Sequence, residues 1–540
     1  MAKKAATKKP ANPCRGKVTK EKGKAAKHVP GEVAPPASFV FSPKEIAETV
    51  DLWWENDGGD KFVLRTLTDA GEEKWSKWPM AAIRLKIRQC VKDKLGRILA
   101  TKPREDELVG EVDRVLLWVR ENRMVEAVMS ALAGYRAGLH ELSDGKQIIV
   151  RMSPRIVEMK KGEWPTIKAL IDGRLDLSLN GGDVNQSVYF HAWIRNGYES
   201  LLRGEPGSHK PGHIMAIFGP GGCGKSRLQI NLITPLLGGR VADPTAFMTG
   251  DDTFNSDMMG AEHQCVEELQ RPSWSAADRV NLSESMKRIV ATESKRMRLM
   301  KTDPMTVNPF WRMSITMNND PDKIRAFPML TPDFRDKVVL LLAAKRPMPM
   351  PTRTVEEQKA FNDKIRSELP AYAWWLLNEF EIPEEMLMED GQDATRFGFA
   401  AYQHPTLAAQ LFDDTPPAQL LRLIDQAELE NATVGTRKIW EMVHPHNTSG
   451  RKPRGGEWEN VPRLWEGTAE KLEELLTGQV PGWESSVGKP AMKLLNKAQI
   501  TTLLSRLKED RSDRVDKRDR AEAKGWAIEA PQSWNANTEG

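Results

Sequence analysis

The chain has 540 residues, 29% of them charged, and a formal net charge of +4. Its length calls for about three or four folding units, no run approaches the roughly 18 apolar residues of a membrane span, and no apolar stretch near the N-terminus suggests a signal peptide. The four cysteines, Cys14, Cys90, Cys223 and Cys265, lack Cys-x-x-Cys spacing, which argues against a disulfide framework or a zinc site and for a soluble cytoplasmic protein with no membrane partner.

Residues 1–37 carry ten Lys and Arg against two Glu, so the remainder sums to −4. This Ala-, Pro- and Lys-rich tail predicts disorder, either as a scanning arm for nucleic acid or as a solubilising extension. From 38 to 187 the reading is a mainly helical domain: helix over Pro43 to Glu55, an extended run Lys61 to Thr66, a basic amphipathic helix Trp78 to Gly96, and mostly helix over Glu105 to Gly134. Within its last third, Lys146 to Arg151 and Arg155 to Met159 read as paired strands about a Ser-Pro turn.

The unit from 188 to 350 carries the chemistry. His213 to Phe218 is an apolar run suited to a buried parallel strand, and Arg227 to Leu232 begins an amphipathic helix. Between them stands Gly219-Pro220-Gly221-Gly222-Cys223-Gly224-Lys225-Ser226, the G-x-x-x-x-G-K-[ST] phosphate-binding loop. Its glycines let backbone N–H groups converge on phosphate oxygens at a helix N-terminus that favours anions. Lys225 reaches the β- and γ-phosphates and Ser226 ligates Mg²⁺, so ATP and Mg²⁺ are the expected cofactors, with Arg227 flanking the loop. Cys223 fills a free position of the motif.

Further strands are expected at Gln264 to Val266, Trp311 to Thr316 and Lys337 to Leu342, with a helix over Ser275 to Thr292. The first ends in Glu267-Glu268. ATP hydrolysis needs a carboxylate near the metal and one that orients or deprotonates water; Glu267 is assigned to Mg²⁺ and Glu268 to water, with the reverse order left open. Asn318, after the next strand, can touch both the γ-phosphate and the lytic water. Arg335 or Lys337 can serve as a cation reaching a neighbouring subunit's phosphate. Beyond this unit, 351–462 reads as a helical extension and linker, with helices over Thr354 to Glu379 and Leu407 to Glu430. In 463–540, the order of two helices over Thr468 to Leu476 and Ala498 to Lys508, a charged loop and the strand Gly525 to Ile528 suggests a winged-helix-like domain.

Gly219–Ser226, Glu267/Glu268, Ile315-Thr316-Met317-Asn318 and Arg335, together with Gly238-Gly239-Arg240, Phe254-Asn255 and Asp336-Lys337, resemble the superfamily 3 helicases of the AAA+ class, in particular the helicase part of phage and plasmid primase-helicase proteins. The resemblance implies an α/β fold with an AAA+ P-loop NTPase core. It also implies an ATP-hydrolysing homo-hexameric ring that translocates on single-stranded DNA, usually 3′ to 5′, in the replication of a phage, plasmid or mobile element. A separate primase or origin-binding protein is a further implied partner, and the cytoplasm of a bacterial host the implied location. A hairpin between the acidic strand and the Asn strand lines the pore; the matching segment holds Lys295, Arg296, Arg298 and Lys301. The alternative reading is an ATP-driven origin-binding initiator or defence ATPase without processive unwinding.

Overall fold

The computed structural model describes residues 41–56, 61–68, 71, 73–100, 102–103, 108–178, 185–204, 209–252, 255–269, 276–291, 294–297, 304–389, 392–393, 396–413, 415–431, 465–479, 485, 487–496, 498–511, 514–520 and 523–528. The expectations for the basic tail at 1–37, and for Arg298 and Lys301, lie outside them. Among the described residues the chain is α/β, and no helix is long and apolar enough to cross a membrane.

Helix α1, Pro43–Val50, starts in a capping box: Ser42 Oγ accepts from the Glu45 backbone N–H, and the Glu45 carboxylate accepts from the Ser42 N–H at 2.7 Å. It stops earlier than the sequence suggested. Asp51 turns left-handed at φ 58°, and Leu52–Glu55 continues as strand β1. The next strands are β2, Lys61–Leu67, and β3, Glu73–Pro79. Helices α2, Met80–Leu95, and α3, Glu111–Asn122, then lead to β4, Met124–Val125. The first sheet has the order β3-β2-β1-β4. Its alternating side chains serve two faces: Phe62 and Leu64 meet the helices, whereas Val63 and Trp75 meet the second sheet.

That second sheet is built from β5, Ala127–Met129, β6, Gly138–Glu141, and β7, Gln147–Val150, in the order β5-β7-β6. The mainly helical expectation for 38–187 is thereby corrected, because Trp and β-branched residues such as Trp53, Trp75 and Val63 suit a pleated surface covered on both faces. The expected partner strand at 155–159 is also absent. Pro154 precedes it, Arg155 N–H donates to the Gly238 carbonyl, and Ile156 and Val157 pack on the core of the following unit.

The central five-stranded sheet is wholly parallel. Its strands are β8, Ile214–Gly219, β9, Val241–Ala242, β10, His263–Glu267, β13, Arg312–Asn318, and β14, Val338–Leu342, in the order β14-β8-β13-β10-β9. Both faces are buried. Ile214, Ala216 and Phe218 enter one core with helix α7, Ala276–Ala291; Met215 and Ile217 enter the other. The second core includes α4, Pro165–Leu175, α5, Ser187–Arg203, the helical segment α6 (residues 225–236, with a π turn at Leu228–Ile233), and α8, Val355–Asn378. Between α7 and β13 a hairpin pairs β11, Lys295–Met297, with β12, Met305–Val307.

Beyond the sheet come α9, Pro405–Asp413, α10, Pro416–Asn431, α11, Ala469–Thr477, α12, Gly488–Leu495, and α13, Ile500–Asp510. A three-stranded antiparallel sheet, Trp465–Gly467, Ala523–Ile528 and Val515–Arg520, completes the end of the chain. Leu420, Leu421 and Ile424 of α10 share one core with Leu472, Leu476, Leu503 and Leu504, whereas Leu407 and Leu411 of α9 pack on the central sheet.

Candidate nucleotide site

Gly219 ends β8, and the loop turns over the sheet before α6 begins at Lys225. A Cβ on Gly219 would lie 2.7 Å from the Ala343 carbonyl, so only glycine lets β8 approach the chain leaving β14. Gly222 and Gly224 take φ of +70° and +99°, left-handed positions that hold the loop open. A Cβ on Gly222 would meet nothing within 4 Å, and one on Gly221 would lie 4.0 Å from Asn318 Oδ1.

Lys225 is 8% exposed, and its Nζ folds back over the loop to donate to the carbonyls of Gly219 at 2.7 Å and Pro220 at 3.0 Å and to Asn318 Oδ1 at 3.2 Å. Asn318 in turn donates from Nδ2 to Glu268 Oε1 at 3.1 Å, and Lys323 Nζ lies 3.3 Å from the same oxygen. Lys225, Asn318 and Glu268 thus form one chain of contacts across the C-terminal ends of β8, β13 and β10, where parallel sheets hold ligands. Glu268 has φ +56°, an uncommon conformation for a side-chain-bearing residue, and its N–H is fixed by the Thr316 carbonyl at 2.9 Å. Glu267 pairs in register with Thr316 and is exposed.

A cleft of about 430 Å³ is lined by Gly222 to Arg227, Glu267, Glu268, Thr316 to Asn318, Met348 and Thr352. Its volume and polar lining are of a kind that could hold a nucleotide polyphosphate, and Ser226 and Glu267 are the residues there whose oxygens could serve a Mg²⁺ ion. Arg227 packs its guanidinium over Phe361 at 5.3 Å and donates to Asn362. Beneath the cleft a buried polar relay braces the strands. Thr316 Oγ1 bonds Gln229 Oε1, Gln229 Nε2 donates to Ser314 Oγ, and Ser314 meets His263 Nε2 at 2.7 Å. Burial pushes the His263 pKa down to about 3, so the imidazole is neutral.

Arg335 and Lys337 stand at the other end of the sheet. The Lys337 carbonyl accepts from Ile214 N–H at the start of β8, about 17 Å from Gly219 at the rise of an extended strand. Arg335 is exposed and donates from Nε to Gln403 Oε1, while Lys337 Nζ is held by both oxygens of Asp336 and by the Asp333 carbonyl. Neither reaches the phosphate loop of its own chain.

At the hairpin, Lys295 and Arg296 differ. Lys295 Nζ bonds the Arg288 carbonyl and lies 5.7 Å from the centre of the Trp311 ring; burial and the neighbouring Arg288 lower its pKa to about 8. Arg296 is exposed, and its carbonyl accepts from Asn255 Nδ2 at 3.1 Å. Asn255 belongs to the Phe-Asn pair singled out in the sequence. Arg240, of the Gly-Gly-Arg, forms a two-pronged pair with the buried Glu262, which also accepts from Gly134 N–H. Lys323, Gln229, Thr316 and Arg174 were not anticipated as site residues. Lys323 stands five positions beyond Asn318 with an Asp-Pro between, a turn signal followed by a cation; Thr316 lies in the strand motif that ends in Asn318, and Gln229 and Arg174 carry no local signal.

Residues 217–328 match a family described as a family of unknown function, DUF5906. No curated protein matches the chain. Among solved structures, the apo structure of the NrS-1 C terminal region (305-718) is similar at 11% identity, covering 90% of this chain and 97% of that one, with a TM-score of 0.46. The A form apo structure of the NrS-1 C terminal region is similar at 12% identity, covering 90% and 98%, with a TM-score of 0.47.

Proposed function

We propose that the chain is an ATP-hydrolysing motor with a superfamily 3 AAA+ core, acting as a homo-hexameric ring on single-stranded DNA in the replication of a phage, plasmid or mobile element. The observation that carries the reading is the contact chain Lys225–Asn318–Glu268 across three neighbouring parallel strands. A phosphate-binding lysine, a polar sensor and a candidate base converge there on one cleft.

In this reading the loop N–H groups and Lys225 bind the β- and γ-phosphates. Ser226 and Glu267 would hold Mg²⁺, which would supply compensation for the negative charge of the phosphates. Glu268 accepts a proton from the attacking water, which adds to the γ-phosphorus as the bond to the β-phosphate oxygen breaks, leaving ADP and phosphate. Asn318 touches Glu268, which favours Glu268 over Glu267 for water and makes Asn318 the residue that senses the γ-phosphate. For hydrolysis to begin, Lys225 must leave the Gly219 and Pro220 carbonyls and Glu268 must exchange Lys323 for water.

Arg335 fits the role of a finger acting on the neighbouring subunit, since it is exposed at the sheet end remote from its own loop; Lys337 is committed to Asp336. For DNA, Arg296 is the better placed of the two described hairpin cations, and Arg298 and Lys301 complete the proposed phosphate contacts. The C-terminal helices and antiparallel sheet are proposed as a winged-helix-like unit that holds DNA or a replication partner.

Unwinding of forked DNA carrying one labelled strand, compared with blunt DNA and RNA, tests the reading. Strand displacement that needs ATP and a single-stranded arm is the expected result. ATP hydrolysis without displacement favours an initiator or a defence ATPase instead.

A further inference from the structure

Arg174 lies near the end of α4 and is 1% exposed, beneath the phosphate loop. Its Nε donates to the Cys223 carbonyl at 3.0 Å, and its Nη atoms reach the Arg346 carbonyl at 3.3 Å, the Pro347 carbonyl at 3.4 Å and Met348 Sδ at 2.7 Å. All these partners are neutral, and among the described residues Arg174 forms no ion pair. Burying a cation without a carboxylate is costly, and a guanidinium cannot shed its proton to escape that cost. Burial acts most strongly against the charge, Cys223 offsets part of that, and the neighbouring Arg346 adds to it. Arg346 adds to the imbalance, since its Nε and Nη2 are buried without a hydrogen-bond partner. Gly224 makes the approach possible: a Cβ there would sit 3.3 Å from Arg174 Nε and 3.5 Å from Met348 Sδ.

We propose that Arg174 is a positioning residue of the phosphate loop, clamping the Cys223 carbonyl to the 346–348 strap and taking its missing counter-charge from the polyphosphate of the bound nucleotide. The proposal rests on the reading of the cleft as a nucleotide site. Two effects follow from one side chain. The fork fixes the loop backbone from behind, so the N–H groups on its front stay aimed at the phosphates. The charge adds a positive field behind the loop that grows in worth with each phosphate, because among the described residues it has no carboxylate partner.

The test is the affinity of the full chain for ATP, ADP and AMP, read by nucleotide titration of the melting temperature, in wild type, Arg174→Met and Arg174→Lys. Arg174→Met is expected to weaken ATP by tenfold or more, on the order expected for losing one unscreened charge near the phosphates, ADP by less, and AMP least. Arg174→Lys keeps the charge and is expected to recover part of the ATP affinity; it also serves if Arg174→Met does not fold. Equal loss for all three nucleotides, or ATP affinity unchanged in both variants, overturns the proposal. If wild type binds none of them, the nucleotide reading itself falls, a result distinct from a wild type that binds while the variants match it.

Discussion

At the scale of single residues, Lys225, Asn318 and Glu268 divide one cleft between them. Glu268 is held by Asn318 and Lys323 and by a left-handed backbone that turns its carboxylate toward β13. Glu268→Gln is therefore predicted to bind ATP normally and to lose hydrolysis by about a hundredfold or more, since an amide hydrogen-bonds water without taking its proton. Nucleotide binding and phosphate release measured on the same preparation check this; trapping of ATP by Glu267→Gln and not by Glu268→Gln would reverse the two roles. The loop was legible in the sequence because its chemistry is local, eight consecutive residues between a strand and a helix. Glu267, Glu268 and Asn318 were legible because each ends a recognisable apolar strand. Gln229 and Arg174 were not, since their roles come from which strands lie side by side and from a helix about fifty residues upstream, and neither is written in local spacing.

At the scale of elements, the division of the chain near its end follows the packing of α10. Leu420, Leu421 and Ile424 are buried against α11 and α13, so a chain cut after Pro462 leaves that apolar face uncovered. A chain ending at Asp413 keeps Leu407 and Leu411 on the central sheet and carries no such face. The shorter chain is predicted to stay monodisperse on size exclusion, and the longer one to aggregate or to melt earlier. The reverse order would mean that α10 does not belong with the C-terminal core. Four of the five central strands were expected from their apolar runs, the two-residue β9 being too short to stand out, and α2 and α8 were expected as helices. The N-terminal strands were harder. Trp53 and Trp54 follow a capped helix without a proline or glycine between, and only the left-handed Asp51 marks the break. At 155–159 the alternation looked like a strand, yet Ile156 and Val157 spend their apolar surface on the neighbouring core without any ladder.

At the scale of the molecule, three buried histidines tie stability to pH. His191, His213 and His263 have pKa values pushed down to about 3 by burial. Their folded values lie below the unfolded value near 6.5, so above that pH neither state is protonated and stability is unaffected. As pH falls from 6.5 toward 3 the unfolded chain takes protons that the folded chain refuses, and each histidine removes up to about 1.4 kcal/mol per pH unit. Denaturant midpoints at pH 7.5, 6 and 5 are predicted to fall steadily below pH 6.5. Flat midpoints would mean that these imidazoles accept protons in the fold.

The proposed ring adds a second property of the whole assembly, because Arg335 sits at the sheet end that cannot reach its own loop. Mixtures of Arg335→Ala and Lys225→Ala chains would then regain part of the ATPase activity that each lacks alone. Ring and finger alike depend on the cleft. Lys225 is the cation that folds over the loop, and Mg²⁺-dependent phosphate release from ATP by the purified chain, beside Lys225→Ala, tests that cleft most directly. Turnover by the wild type is expected, with a loss of about a hundredfold or more in the variant and circular dichroism unchanged. Turnover by Lys225→Ala near the wild-type rate, or none by a folded wild type in the presence of single-stranded DNA, would contradict this reading.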